Sequence, residues 1–341
     1  MRKTLSLVLI LCLMLSGCAV PAVPEQQQYT ATFLELFDTV TTIIGRAESE
    51  EAFREKAEAI RDDLKHYHEL FDIYREYPGL TNLKTVNDRA GREPVKVDGT
   101  ILDFLEDCKD YYALTEGRVN VAMGSVLELW HEARTDGIQD PANAALPSME
   151  ELEAAKQHTD LSCVVIDREA GTVFFTDPLL RLDVGAAAKG WATQRAAEKA
   201  PAGMLISGGG NVCATGPKTP EGTPWVIGVQ NPDDPDTNLH TFYLSGGSMV
   251  TSGDYQRTYT VDGKRYHHII DPETLMPGAY WRSVTVLCSD SGLADALSTG
   301  LFLMDRETGE ALAEKLGAEV LWVAYDGSVS MTEGFQSLLR N

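Results

Sequence analysis

The sequence predicts an α+β fold: mixed, largely antiparallel sheets with packed helices, in one domain. Three observations carry that expectation. Apolar residues recur at spacings of four and three through residues 53–71, the signature of one helix face. Beyond residue 160 the texture changes to short apolar, strand-like runs separated by turn residues. Helical stretches are grouped between those runs rather than alternating with each of them, unlike a doubly wound parallel sheet. There is no repeat at solenoid period and no low-complexity tract.

In chain order, residues 1–17 read as an export signal. Arg2 and Lys3 give a short positive start, and Thr4 to Ser16 is almost entirely apolar but too short to span a bilayer as a mature helix. LSGC at 15–18 looks like a bacterial lipobox, in which the thiol of Cys18 would carry the lipid. An ordinary signal peptide or an uncleaved anchor is the alternative. PAVPEQQQ at 21–28 reads as a polar tether, so the expectation is a lipidated Cys18 and tether over 18–30 and a folded domain over 31–341. The protein would then sit on the extracytoplasmic side of the cell membrane, held by its lipid.

Phe53, Ala57, Ile60, Leu64, Tyr67 and Phe71 form the inner face of the first helix, with Ser49 and two Glu at its start. A second helix follows Asp98, with Ile101, Leu105, Cys108 and Tyr112 facing inward, and SMEE at 148–151 fits a capping box. CVVID (163–167) and TVFFT (172–176) flank a turn and predict a hairpin. Further strands are expected at 204–207, 225–230, 241–245, 257–261, 283–288 and 319–325, and helices at 187–199, 292–303 and 307–316.

The formal charge is −22, and −24 once Arg2 and Lys3 are removed with the signal. No basic stripe is present, which excludes nucleic acid as a partner. Any anionic ligand would need local cations or focused backbone donors. Besides Cys12 and Cys18 the chain holds Cys108, Cys163, Cys213 and Cys288, with no CxxC. Buried free thiols are expected, Cys163 and Cys288 lying in apolar runs, although an exported protein is also a setting for disulfides.

Four segments could carry chemistry. RLDVGAAAKGWA (181–192) ends a strand at Asp183 and opens a helix carrying Lys189, offering small residues and free N–H groups to a phosphate; tight packing alone would also explain it. ISGGGNVCATG (206–216) suits either a phosphate cradle or a glycine-rich hairpin turn. In ADALSTG (294–300), Asp295 and Thr299 are four apart and share a helix face, a pairing that suits a hard cation such as Mg²⁺ or simply helix-start chemistry. In 251–278, VDGK predicts a tight hairpin turn, after which His267 and His268 would alternate to opposite faces of a strand. A two-histidine metal site is therefore not expected; one imidazole would face a cleft and the other packing or solvent.

Together these segments resemble the ApbE-type FAD:protein FMN transferase family over about residues 37–327. The family's Asp-Leu-Gly-Gly-x-x-Lys-Gly signature resembles the run from Asp183 to Gly190, and its Gly-Gly hairpin resembles Ser207 to Asn211. Its Thr-Ser-Gly-x-Tyr…His-Ile-Ile-Asp-Pro stretch is matched at 251–255 and 268–272, and its Ala-Asp-Ala-Leu-Ser-Thr helix at 294–299. The N-terminal half is looser: Phe37-Asp38-Thr39, Phe71 to Tyr74 and Thr85 to Asn87 resemble family elements. At 117–124 the family's Gly-x-Phe-Asp-x-Thr-x-Gly becomes a run with Val119, Asn120 and Ala122. That loop contacts the flavin nucleotide in the family, so the departure concerns flavin packing.

The resemblance implies cleavage of FAD at its diphosphate, transfer of FMN to a Ser or Thr of an exported or membrane-bound redox protein, and release of AMP. The acceptor would carry a short Asp-Gly-x-x-x-Ser/Thr-like site. It also implies Mg²⁺ held by Asp295 and Thr299, with backbone oxygens near Ala186 and Ser298. Lys189 would lie by the cofactor, Asp183 would accept from the adenine end, and Val119, Asn120, Val121 and Ile270 would line the flavin site. His268, in the motif position, would be the general base for the acceptor hydroxyl, leaving His267 structural or exposed. An FAD carrier and an FAD pyrophosphatase share the same pocket and remain alternatives; a solute-binding lipoprotein would show the β/α alternation this chain lacks.

Overall fold

The computed structural model describes residues 26–340. The export signal and Cys18 therefore lie outside the described residues. Eight strands form one antiparallel sheet, in the order Gln27–Leu36, Thr39–Ala47, Leu205–Gly208, Asn211–Ala214, Gly247–Gly253, Ser283–Cys288, Glu319–Val323 and Val329–Met331. The α+β expectation holds. The first strand takes in Gln27 to Thr30, residues that the sequence suggested for the tether.

Alternation along the central strands assigns the two faces of this sheet. Val320 and Trp322 pack with Val284, Val286, Leu297 and Leu301 on the helix side, while Leu321 and Val323 join Trp225, Phe242 and Phe335 on the other. The helices Glu50–Phe71, Ala188–Lys199 and Ser291–Phe302 cover the first face; the long hairpin of Trp225–Asn231 and Asp234–Leu244 covers the second. Caps appear where the sequence placed them. Ser49 accepts from Ala52 N–H at 3.2 Å, and Ser148 and Glu151 form a reciprocal capping box. The first helix buries all six residues of its predicted stripe.

The differences have local causes. In Gly99–Leu114, Ile101, Leu105 and Cys108 are buried as expected, but Tyr111 rather than Tyr112 continues the inner stripe, and Tyr112 is exposed. All four cysteines described are free, and Cys108 and Cys213 are the buried ones, while Cys163 and Cys288 are only partly covered. Helix Gly124–Gln139 and strands Thr39–Ala47 and Gly247–Gly253 had no periodic signal strong enough to predict them. The last is sandwiched between two strands and helix Ser291–Phe302, so its GSMVTSG sequence needs small residues more than alternation. Gly208 pairs with Asn211 across Gly209 and Gly210, both at positive φ, so that segment is a tight hairpin turn.

A smaller layer flanks the main sheet. It holds a three-stranded sheet (Val95–Lys96, Thr172–Phe175, Val164–Asp167), helix Gly124–Gln139 and the hairpin Tyr259–Val261/Lys264–Tyr266, which turns through Asp262 and Gly263 as VDGK predicts. Where the two layers meet, a cavity of about 550 Å³ opens. Among the described residues, no helix is long and apolar enough to cross a membrane.

Candidate active site

The buried end of the cavity is a helix–helix contact. Gly190 lets helices Ala188–Lys199 and Ser291–Phe302 approach so closely that a Cβ there would lie 2.3 Å from both the Asp295 Cβ and the Ser291 carbonyl oxygen. Through that gap Asp295, 3% exposed, accepts the Gly190 N–H at 2.7 Å. Lys189 Nζ lies 3.8 Å from the same carboxylate oxygen and donates to the Gly185 carbonyl at 3.2 Å. Because Gly190 N–H goes to Asp295, the Ala186 carbonyl one turn back has no donor among the described residues. One turn after Asp295, Thr299 meets Ser252 at 3.3 Å; Ser252 also meets Ser298 at 2.8 Å.

This corner fits a hard divalent cation. A carboxylate, a hydroxyl and an unclaimed carbonyl, from Asp295, Thr299 and Ala186, all border the cavity. Such a cation accepts a few protein oxygens and completes its shell with water or phosphate. Among the described residues no group of three or more His, Cys, Asp or Glu offers a competing site. Ser298 does not reach the cavity wall. Its hydroxyl donates to the Asp295 carbonyl at 2.9 Å and meets Ser252, which places it behind the corner as a brace.

The two histidines are separated by bonding rather than by strand alternation. The strand ends at Tyr266, so period two no longer applies, and both rings border the cavity. His267 is tied at both nitrogens: Nε2 donates to the Gly278 carbonyl at 2.9 Å, and Nδ1 accepts from Ile269 N–H at 3.2 Å. Its ring also stands edge-on to Phe302 at 5.4 Å. His268 has no protein hydrogen-bond partner among the described residues, and its Nδ1 is buried without one. Burial first, then the charges of Arg257, Lys189 and Arg134 and the neighbouring His267, holds its pKa down to about 3. The free protein thus keeps this imidazole neutral.

The other predicted residues divide. Asp183 lines the cavity and caps its own turn, Oδ1 accepting from Gly185 N–H at 2.9 Å. Val119, Asn120 and Ile270 also border the cavity, whereas Val121 is buried behind it and accepts Asp183 N–H at 2.9 Å. Asn120 is committed to its own loop: Nδ2 donates to the Thr159 carbonyl at 2.9 Å and Oδ1 accepts Ala122 N–H at 2.9 Å. That side chain is therefore a loop brace.

Several wall residues were not among the predicted site residues, although Phe37 to Thr39, Tyr74, Asn211 and Arg257 lie in segments that the sequence singled out. Phe37 and Asp38 form a left-handed turn, both at φ 52°, leading to Thr39. Asn211, 1% exposed, leaves Nδ2 without a partner at the wall. At the mouth, the exposed Tyr74 ring contacts His131 at 5.8 Å, and Arg134 bonds His131 Nδ1 at 2.9 Å. Arg257 stands nearby at φ 47°. The stray positions of Tyr74, His131, Arg134 and Arg257 along the chain explain why no motif brought them together.

Comparison with known proteins bears on the fold and the family. The ApbE family model matches residues 37–322. A FAD:protein FMN transferase of Vibrio cholerae is 31% identical over 277 residues, covering 79% of this chain and 78% of that one. One of Escherichia coli (strain K12) is 27% identical, covering 84% and 82%. Among solved structures, the ApbE protein of Thermotoga maritima superposes with TM-score 0.81 at 32% identity, over 92% of this chain and 100% of that one. The flavin transferase ApbE of Vibrio cholerae superposes with TM-score 0.75 at 26% identity, over the same shares. With the family match running over residues 37–322, which include every residue lining the cavity, the chain belongs to the ApbE family.

Proposed function

We propose that this protein is a FAD:protein FMN transferase, anchored to the membrane through Cys18 and facing outward. It would act on a Ser or Thr of an exported or membrane-bound redox protein. The observation that carries the chemistry is His268, an imidazole without a protein partner, bordering the same cavity as the oxygen donors Asp295, Thr299 and Ala186. The relatives' activity and the matched motifs support the substrate assignment.

In this reading the acceptor hydroxyl oxygen forms a bond to the FMN-side phosphorus, and the bond from that phosphorus to the bridging oxygen breaks. AMP leaves with the bridging oxygen, and His268 takes the hydroxyl proton. Asp295, Thr299 and the Ala186 carbonyl would hold Mg²⁺, which when bound neutralises charge on the diphosphate. Lys189 adds a cation at the same corner, and Asp183 would accept from the adenine amino group. The diphosphate brings negative charge beside His268, opposing the cations that keep its basicity low in the free protein.

The test is intact mass. The protein from about residue 26 is incubated with FAD, Mg²⁺ and an acceptor carrying an Asp-Gly-x-x-x-Ser/Thr site. A Mg²⁺-dependent gain of one FMN on the acceptor, with AMP released, is the expected result. Free FMN and AMP would replace the proposal with a pyrophosphatase, and intact bound FAD across several acceptors would replace it with a carrier.

A further inference from the structure

Five cationic side chains border the cavity of a protein whose formal charge is −22. They are not equivalent. Arg118 is tied to Asp271 at 3.4 Å and to Glu273 at 3.2 Å, and Lys189 lies against Asp295. Arg75 is exposed to solvent at the edge of the lining. Among the described residues Arg134 and Arg257 have no ion-pair partner; Arg134 bonds only His131, and Arg257 makes no side-chain hydrogen bond. Asp183 borders the same cavity and its charge is felt at Arg134, but among the described residues no carboxylate forms an ion pair with either guanidinium.

Two further observations concern the same pair. Arg257 holds a left-handed backbone at φ 47°, a conformation that is strained for a non-glycine residue and clusters at ligand sites. The charges also converge on one cavity: burial first, then Arg257, lowers the pKa of Arg134, with Tyr74 and Asp183 opposing, and both arginines act on the ring of His268. Like charges brought together repel, and an anion placed between them removes that cost. The planar fork of arginine matches phosphate oxygens.

We infer that Arg134 and Arg257 form a two-arginine clamp that receives the diphosphate of the substrate between the cavity mouth and His268. This rests on the FAD reading above. It assigns the anion two independent sources of neutralisation, the oxygen-ligand corner at Asp295 on one side and the clamp on the other. Both arginines lie far in sequence from Asp295, and the clamp needs no cation of its own to work.

The experiment measures binding of three probes, FAD, inorganic pyrophosphate and riboflavin, to the wild-type protein and to Arg134→Gln, Arg257→Gln and the double variant. It is run in EDTA, so that only the arginines are read. The expected result is a loss of roughly tenfold in affinity per arginine for FAD and pyrophosphate, with riboflavin, which lacks phosphate, unchanged. Arg257→Lys should recover part of the loss, since charge returns without the fork. Equal loss for riboflavin would make the arginines structural and overturn the clamp, as would variants that bind pyrophosphate and FAD like the wild type. In that second case wild-type FAD binding still stands, so the proposed function survives. Wild-type binding of pyrophosphate but not FAD would instead overturn the FAD reading and, with it, this substrate assignment.

Discussion

At the buried end of the cavity most polar atoms are already bonded to protein; at its mouth they are not. Asp295, Gly190, Ser252, Ser298 and Thr299 form a continuous hydrogen-bonded corner, with His268 and Asn211 as the exceptions. Around the mouth, Tyr74, His131, Arg134 and Arg257 are held mainly by ring contacts and one neutral hydrogen bond. A bonded corner presents ligand atoms in one geometry at no cost of ordering when substrate arrives. A loosely held rim can adjust to a ligand and then release a product. In the proposed reading the corner holds one side of the diphosphate in a fixed geometry, and Arg134 and Arg257 at the rim close on its other side.

The severest way to test that division is to remove the unbonded group at the buried end. His268→Ala should lower FMN transfer by roughly 10²- to 10⁴-fold while FAD still binds; transfer at the wild-type rate would end its assignment as base. The acid limb of the pH profile sharpens the point. In kcat/KM, which reports the free protein, the limb set by His268 should lie lower than in kcat, because bound phosphate charge raises its basicity. Coincident limbs would show that the substrate does not sit beside this ring.

The same histidine leaves a stability signature. Its ordinary pKa near 6.5 falls to about 3 in the fold, so between those values the unfolded chain binds more protons and stability drops as pH falls. His268→Gln should lose less stability on acidification from pH 6.5 to 3 than the wild type does. Part of the slope remains, since burial lowers His267 in the same direction. Urea midpoints at several pH values decide it; parallel curves would contradict the burial.

Asp295→Ala should reduce Mg²⁺-dependent transfer by roughly 10- to 100-fold, taking loss of a ligand to be at least as severe as loss of an outer-shell partner. It should also cost about 1–3 kcal/mol of stability, because the buried Gly190 N–H loses its acceptor. Unchanged metal dependence would remove Asp295 from the ligand set. Gly190→Ala forces a methyl group into the 2.3 Å contacts at the helix pair and should cost a further-unrelieved 1–3 kcal/mol, roughly, by overpacking. Denaturant unfolding measures that directly, and a neutral result would mean that the two helices can part. The smallest expected effect is at Asn120→Asp, which restores the family's residue but removes the donor to the Thr159 carbonyl, for about 1 kcal/mol. A gain in stability there would show that Asn120 is not the brace the hydrogen bonds describe.

The fold was legible wherever local chemistry and tertiary packing agree. Ser49, the capping box at Ser148 and Glu151, the VDGK turn and the buried stripe from Phe53 to Phe71 each encode their element within a few residues. Strand Gly247–Gly253 was not legible, because a strand covered on all sides has no amphipathic alternation to read. The site divides in the same way. Asp183, Lys189, His268, Asp295 and Thr299 sit in contiguous motifs and do border one cavity. Val121 and Ser298, from the same motifs, turn out to brace the wall from behind, since neighbours along a chain need not face the same space.

By itself, then, the sequence determined the α+β class, the order of the major helices and strands, and the motif residues on which the chemistry would rest. Short-range patterns suffice for these, because capping, turns and periodicity are settled by residues a few positions apart. Tertiary structure alone decided which histidine is free, that Gly190 N–H leaves the Ala186 carbonyl open, and that Arg134 and Arg257 share one mouth. Each of those depends on partners brought together from distant parts of the chain. Hydrogen bonding and charge act through space, and only the folded chain sets those distances.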